Sequence, residues 1–225
     1  MNISCRSILK NRTFFSLFAL FSLLFALCSF LPSSLFAQTR ADALVEYRNG
    51  NYERAVEICK SEIVASPNNM DSHVVICWSL IGLGRFTEAM DYALAARNIN
   101  RYDVRITEVL GEICYYQGRN NESLQYFQEY VNMAPEGARI EAVYYFIGEI
   151  FIRMGWFRHA DIALTTAVHR VPENAAWWTR LAYARENAGD LHEAATAYET
   201  ALSLNSQLND ARRGLDRVRQ ALAQL

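Results

Sequence analysis

Apolar residues recur along most of this chain at the 3.6-residue spacing of a helix, and a glycine closes each run. Leu181, Ala184 and Ala188 fall on one face, and Leu191, Ala194, Ala195 and Tyr198 form the next stripe. Gly50, Gly84 and Gly118 are 34 residues apart, and so are Gly155 and Gly189. Each opens the same polar turn: GNYERA, GRFTEA, GRNNES, GWFRHA and GDLHEA. A fixed period of 34 predicts a solenoid of helix–turn–helix units. The glycines end helices by adopting a left-handed conformation, and Pro67, Pro135 and Pro172 stop the second helix of a unit. Small residues stand seven before each glycine (Ala43, Cys77, Gly111, Gly148, Ala182) and five after (Ala55, Ala89, Ser123, Ala160, Ala194). Both sets lie where paired helices must approach closely. Gly118 and Gly155 are 37 apart, which places a three-residue insertion at Ala138–Ile140. It predicts a longer loop or an extra helical turn, with a functional bend as the alternative.

The register resembles the tetratricopeptide repeat family over roughly residues 40–207. The third unit carries Leu110, Gly111, Phe127 and Pro135, with Ser123 in the usual alanine slot. The fourth carries Tyr144, Ile147, Gly148, Phe151, Ala160, Leu164, Ala167 and Pro172. The fifth has Trp178, Leu181, Ala182, Ala194, Tyr198 and Ala201, but Ser206 in place of proline. The second has Ile76, Cys77, Leu80, Ala89, Ala93 and Ala96, with Arg101 at the proline position. The first keeps Ala55 and Pro67. The resemblance implies an all-α fold: a right-handed superhelical solenoid of about five repeats (40–69, 70–103, 104–137, 141–174, 175–208) with a capping helix over 209–225. Ala211, Leu215, Val218 and Leu222 give that last helix an apolar stripe, and Arg212, Arg213, Arg217 and Arg219 a wet side.

The first 37 residues form a different kind of segment. Arg6, Lys10 and Arg12 precede the uncharged apolar run Phe14–Leu31, and the segment ends Pro-Ser-Ser-Leu-Phe-Ala. This reads as a secretory signal cleaved after Ala37, or as a retained anchor, since the run is long enough to span a bilayer. Either reading exports residues 38–225 to the periplasm or cell envelope. Removing three of the 22 basic residues leaves 19 against 24 acidic ones, a net charge of −5. A mildly acidic chain with no basic run excludes a nucleic-acid binder.

Cys59, Cys77 and Cys114 remain after cleavage; they read as buried thiols, with a Cys59–Cys77 disulfide as the alternative in an oxidising compartment. His73, His159, His169 and His192 fall at unrelated offsets and form no metal motif, so no cofactor or metal is expected. Glu112 and Glu149 share an offset on neighbouring helices, as a pair of glycosidase carboxylates about 6–10 Å apart would require. A solenoid repeats its offsets anyway, and no second catalytic motif accompanies them, so the chain reads as a binding protein and not an enzyme.

The resemblance places the first helices of successive repeats on a concave groove, with the facing positions set back 13, 10, 6, 3 and 2 residues from each glycine. Those offsets select Trp78, Arg105, Glu108, Glu112, Tyr115, Tyr116, Tyr145, Glu149, Arg153, Tyr183 and Glu186 as partner-binding residues. The Lys, Asn and Arg of the family's carboxylate clamp are missing: Val74, Trp78, Glu108 and Glu112 occupy that part of the groove. The expected partner is a protein or extended peptide with apolar or basic side chains. A small-ligand or lipid-binding accessory module and a purely structural oligomer are the alternatives. Membrane contact is expected only through an uncleaved N-terminal segment.

Overall fold

The structure, a computed structural model, describes residues 42–224, so the apolar run Phe14–Leu31 and the cleavage site at Ala37 lie outside the described residues. Eleven helices and no strand occur among the described residues. Five helical pairs follow one another: α1 (Ala43–Arg48) with α2 (Tyr52–Ala65), α3 (Met70–Gly82) with α4 (Phe86–Ile99), and α5 (Val104–Tyr116) with α6 (Asn120–Met133). Then come α7 (Ile140–Arg153) with α8 (Phe157–Arg170), and α9 (Ala175–Ala188) with α10 (Leu191–Leu204). A single helix, α11 (Asn209–Leu222), ends the array. This is an all-α helical repeat fold.

The five turn glycines have φ between 72° and 88°, the left-handed region, and no other residue type among the described residues has positive φ. That conformation folds the chain back so that N–H groups beyond the helix reach its last carbonyls. Gly118 donates to the Tyr115 carbonyl (3.1 Å) and Arg119 to that of Cys114 (2.9 Å). The first helices α1, α3, α5 and α9 start on Asp42, Asn69, Asp103 and Asn174, whose side chains accept from first-turn amides. α7 breaks this rule. Its N-cap is Arg139, and a loop over 134–139 replaces the four-residue connection 100–103. Two of the three inserted residues are in this loop and the third lengthens α7 to 14 residues, against 13 in α5.

The small-residue slots are close contacts between paired helices. A Cβ on Gly111 would come within 2.6 Å of the Phe127 ring, and one on Gly148 within 2.5 Å of Leu164. Ser123 Oγ donates to the Gly111 carbonyl (2.7 Å), satisfying its hydroxyl inside the core. The three cysteines are buried and free; burial pushes the Cys59 thiol up to about 12 and raises that of Cys77 further, which makes both poor nucleophiles at neutral pH. His73 is also buried, with Nε2 2.9 Å from the Pro67 carbonyl. No group of three or more potential ligands for a metal occurs among the described residues. On α11, Ala211, Leu215 and Val218 are buried against the last repeat.

Candidate partner-binding groove

Consecutive first helices touch: α1 with α3, α3 with α5, α5 with α7, α7 with α9, and α9 with α11. The backbones of successive second helices stay farther apart, and these helices meet only through long side chains such as Lys60–Glu88 (2.8 Å) and Arg97–Glu129 (2.8 Å). The array therefore curves with its first helices on the inner face, which is where the offsets from the glycines put the candidate residues.

Aromatic side chains run along that face in ring contact. Tyr47 lies against Trp78 (centroids 5.6 Å apart), and Tyr116 stacks on Phe86 (5.1 Å). Tyr115 meets Phe146 edge-on (4.9 Å), Tyr145 stacks on Trp177 (5.0 Å), and Tyr183 meets Phe157 edge-on (6.3 Å). Tyr116 is exposed, Trp78, Tyr145 and Tyr183 are half-buried, and Tyr115 is buried. Burial raises the pKa of the Tyr145 hydroxyl, and the Glu149 charge beside it adds to the shift, so Tyr145 meets a ligand as a neutral phenol.

The charged residues are not free. Arg139 Nη2 reaches both Glu108 Oε1 (3.0 Å) and Glu112 Oε1 (2.7 Å). Arg180 grips Glu149 through Nε (2.6 Å) and Nη2 (2.9 Å). Arg217 grips Glu186 in the same two-pronged way (2.8 and 2.9 Å), and Tyr198 Oη donates to that carboxylate at 2.6 Å. Glu108–Arg139, Glu149–Arg180 and Glu186–Arg217 are each 31 residues apart. The inner face thus carries a ladder in which each repeat sends an arginine back to the preceding repeat's carboxylate. Arg105 extends it toward the N-terminus, bonding Asp71 Oδ1 (2.7 Å) and Asp103 Oδ2 (2.8 Å). Arg153 lies 3.6 Å over the Tyr115 ring and donates to the Tyr115 carbonyl (2.8 Å). Paired charges in planar, bidentate contact hold their geometry better than single contacts.

One sequence expectation needs restating, and one gains a detail. Glu108, Glu112 and Glu149 are buried beneath arginines, so the groove presents guanidinium edges where the sequence suggested open carboxylates. The second concerns α11. Arg213 and Arg217 are exposed, as expected of its wet side, and with Thr179, Tyr183 and Tyr198 they also line a recess of about 260 Å³ at the end of the inner face. Arg139, Arg180, Phe86, Phe146 and Trp177 were missed, because none sits at a groove offset; Tyr47 does, three residues before Gly50, but the first repeat was left out of the selection. The 31-residue acid-to-arginine spacing is the signal that could have found two of them.

Residues 147–209 match the tetratricopeptide repeat family model. No curated protein matches the sequence. Among solved structures, the chain is similar to PilW, described as a widely conserved type IV pilus biogenesis factor. The TM-score is 0.70 at 20% identity, covering 80% of this chain and 83% of PilW. MamA from Desulfovibrio magneticus RS-1 gives a TM-score of 0.63 at 16% identity, with 68% and 85% covered. In the APC/C hetero-tetramer Cut9–Hcn1 the TM-score is 0.71 at 15% identity, covering 78% of this chain but 35% of that one. At these identities the likeness is one of fold. The family model thus supports the tetratricopeptide repeat in the C-terminal repeats, and the solved structures share the helical-repeat fold over most of the chain.

Proposed function

We propose that this chain is an exported scaffold that holds an extended segment of a protein partner along its inner face, within a cell-envelope complex. The observation that carries the reading is the file of aromatic side chains from Tyr47 to Tyr183 on the inner face. Half-exposed aromatics, already held by their neighbours, lose little conformational freedom on binding and supply most of the energy of such interfaces. The ladder adjusts the expected chemistry. Because each carboxylate already holds an arginine, the partner brings apolar side chains to the aromatics, and hydrogen-bond acceptors or acids to the outward edges of Arg139, Arg153 and Arg180. The basic residues before the apolar run Phe14–Leu31 support export.

A photo-crosslinker at Tyr116, in the full chain in its native envelope, should capture one partner; the same probe at exposed Val64 on α2 should not. Trp78→Ala with Tyr145→Ala should weaken that partner more than about tenfold while helicity is kept. Capture from Val64 alone, or an unaffected double variant, would place the partner off the inner face. Export has its own test. A reporter fused after Leu225 should be active only outside the cytoplasm, and the mature chain should begin at or near Gln38. Met1 intact on membranes would show an anchor instead.

A further inference from the structure

The insertion that breaks the 34-residue period also opens the opposite side of the molecule. The loop 134–139 leaves α6 packed on α7 more loosely than any other pair of consecutive helices. Between α6 and α8, on the outer face, lies a furrow of about 1160 Å³. Tyr144, Ile147 and Phe151 of α7 form its floor. Leu124, Gln128 and Val131 stand on one wall, Ile162, Ala163 and Thr166 on the other. Large apolar groups stay in water here: Tyr102 is 78% exposed, Ile162 69% and Trp156 49%. Trp156 is held in place by ring contacts with Phe151 (5.8 Å) and His159 (5.7 Å). Scattered apolar residues on a surface need no explanation, but a contiguous set lining a furrow marks an interaction site.

Shape and charge narrow the occupant. Both walls and the floor are helices whose backbone groups already bond internally. An extended strand laid there would find no backbone partners, whereas a helix brings its own hydrogen bonds satisfied. The furrow is also larger than the roughly 300–1,000 Å³ of small-molecule pockets. Among its charged residues, Glu129 is used up by Arg97, whose Nη2 lies 2.9 and 2.8 Å from the two carboxylate oxygens. Arg101 lines the furrow beside Tyr102 and pairs with no acid among the described residues. The other polar groups there are mostly neutral amides and hydroxyls. The lining therefore complements an apolar face with a negative charge at one end. We propose that this outer furrow is a second docking site, which takes an amphipathic helix of a protein partner with an acidic residue next to Arg101. It is independent of the inner-face reading.

The test selects helical peptides from a display library on the full chain, then measures a labelled selected peptide by fluorescence anisotropy. Enriched sequences should carry apolar residues at i, i+4 and i+7 and an Asp or Glu at one end. Ile162→Glu, at an exposed position that folding does not need, should weaken the peptide more than about tenfold. Arg101→Glu should weaken it about fivefold, and a Lys in place of the peptide's acid should restore it. Trp78→Ala with Tyr145→Ala on the inner face should change nothing. Three results would overturn the proposal. One is that no helical peptide is enriched. Another is that enriched peptides respond to the inner-face pair and not to Ile162→Glu. The third is sedimentation showing a concentration-dependent dimer that Ile162→Glu abolishes, which would make a second copy of the chain the occupant.

Discussion

Glu108 is a buried carboxyl with only half of its hydrogen-bonding capacity used. It is 1% exposed, its Oε1 accepts from Arg139, and its Oε2 has no hydrogen-bond partner. Burial raises its pKa well above the usual carboxylate range, and Glu112, one turn on and near enough to share its proton, raises it further; Arg139 opposes both. A raised folded-state pKa means that Glu108 stabilises the fold fully below its unfolded pKa of about 4.3 and progressively less as pH rises through its folded value. Glu108→Gln keeps an acceptor for Arg139 and a permanent donor for Glu112. The variant should therefore be more stable than the natural chain at pH 8, with a flatter stability between pH 5 and 8. The slope removed is at most about 1.4 kcal/mol per pH unit for one proton. Urea midpoints at the two pH values measure it, and a variant less stable at pH 8 would mean that Arg139 holds Glu108 ionised. The sequence placed Glu108 and Glu112 on the inner face through their offsets. It hid their neutralisation, because Arg139 lies in the insertion, outside the repeat register.

At the scale of the element, two glycines show why one residue type serves two purposes. Gly118 sits at φ +74° with nothing within 4 Å of where a Cβ would go. Gly118→Ala should therefore cost only the left-handed backbone penalty, about 1–2 kcal/mol. Gly214 lies inside α11, where a Cβ would come within 2.2 Å of the Tyr198 ring. That ring is fully buried and its hydroxyl is tied to Glu186 at 2.6 Å, so it has nowhere to move. Overpacking of about 1–3 kcal/mol outweighs the roughly 1 kcal/mol that alanine gains in helix propensity, for a net loss near 1 kcal/mol. Urea denaturation of both variants tests this; an unchanged midpoint for Gly214→Ala would mean that α11 can slide on the last repeat. The turn glycines were legible because their period announces them. Gly214 was not, since its reason is a tyrosine on the preceding helix, in contact in the fold but 16 residues away in the chain.

The whole molecule is a chain of neighbours. Among the described residues its core forms three clusters in sequence order: one from Ala43 to Ile113, one around Phe127, Val143 and Ile150, and one from Ala160 to Val218. The ladder likewise joins only adjacent repeats. The period and the small-residue slots made this architecture readable from sequence, since each repeat needs the same close contact at the same offset. The furrow was not readable. A three-residue change of period fixes where the array departs from regularity, but only packing shows which side opens. In an array held by nearest-neighbour contacts, damage should stay local. Gly214→Ala strains the α10–α11 contact, and the loosely packed α6–α7 junction separates that end from the first repeats. Native-state hydrogen exchange should then show faster exchange in α9, α10 and α11, by about fivefold for a loss near 1 kcal/mol, with α3 and α4 unchanged. An equal acceleration in α3 and α4 would show that the junction transmits the strain and that the array opens as one unit, in which case a partner seated in the outer furrow would stabilise both ends alike.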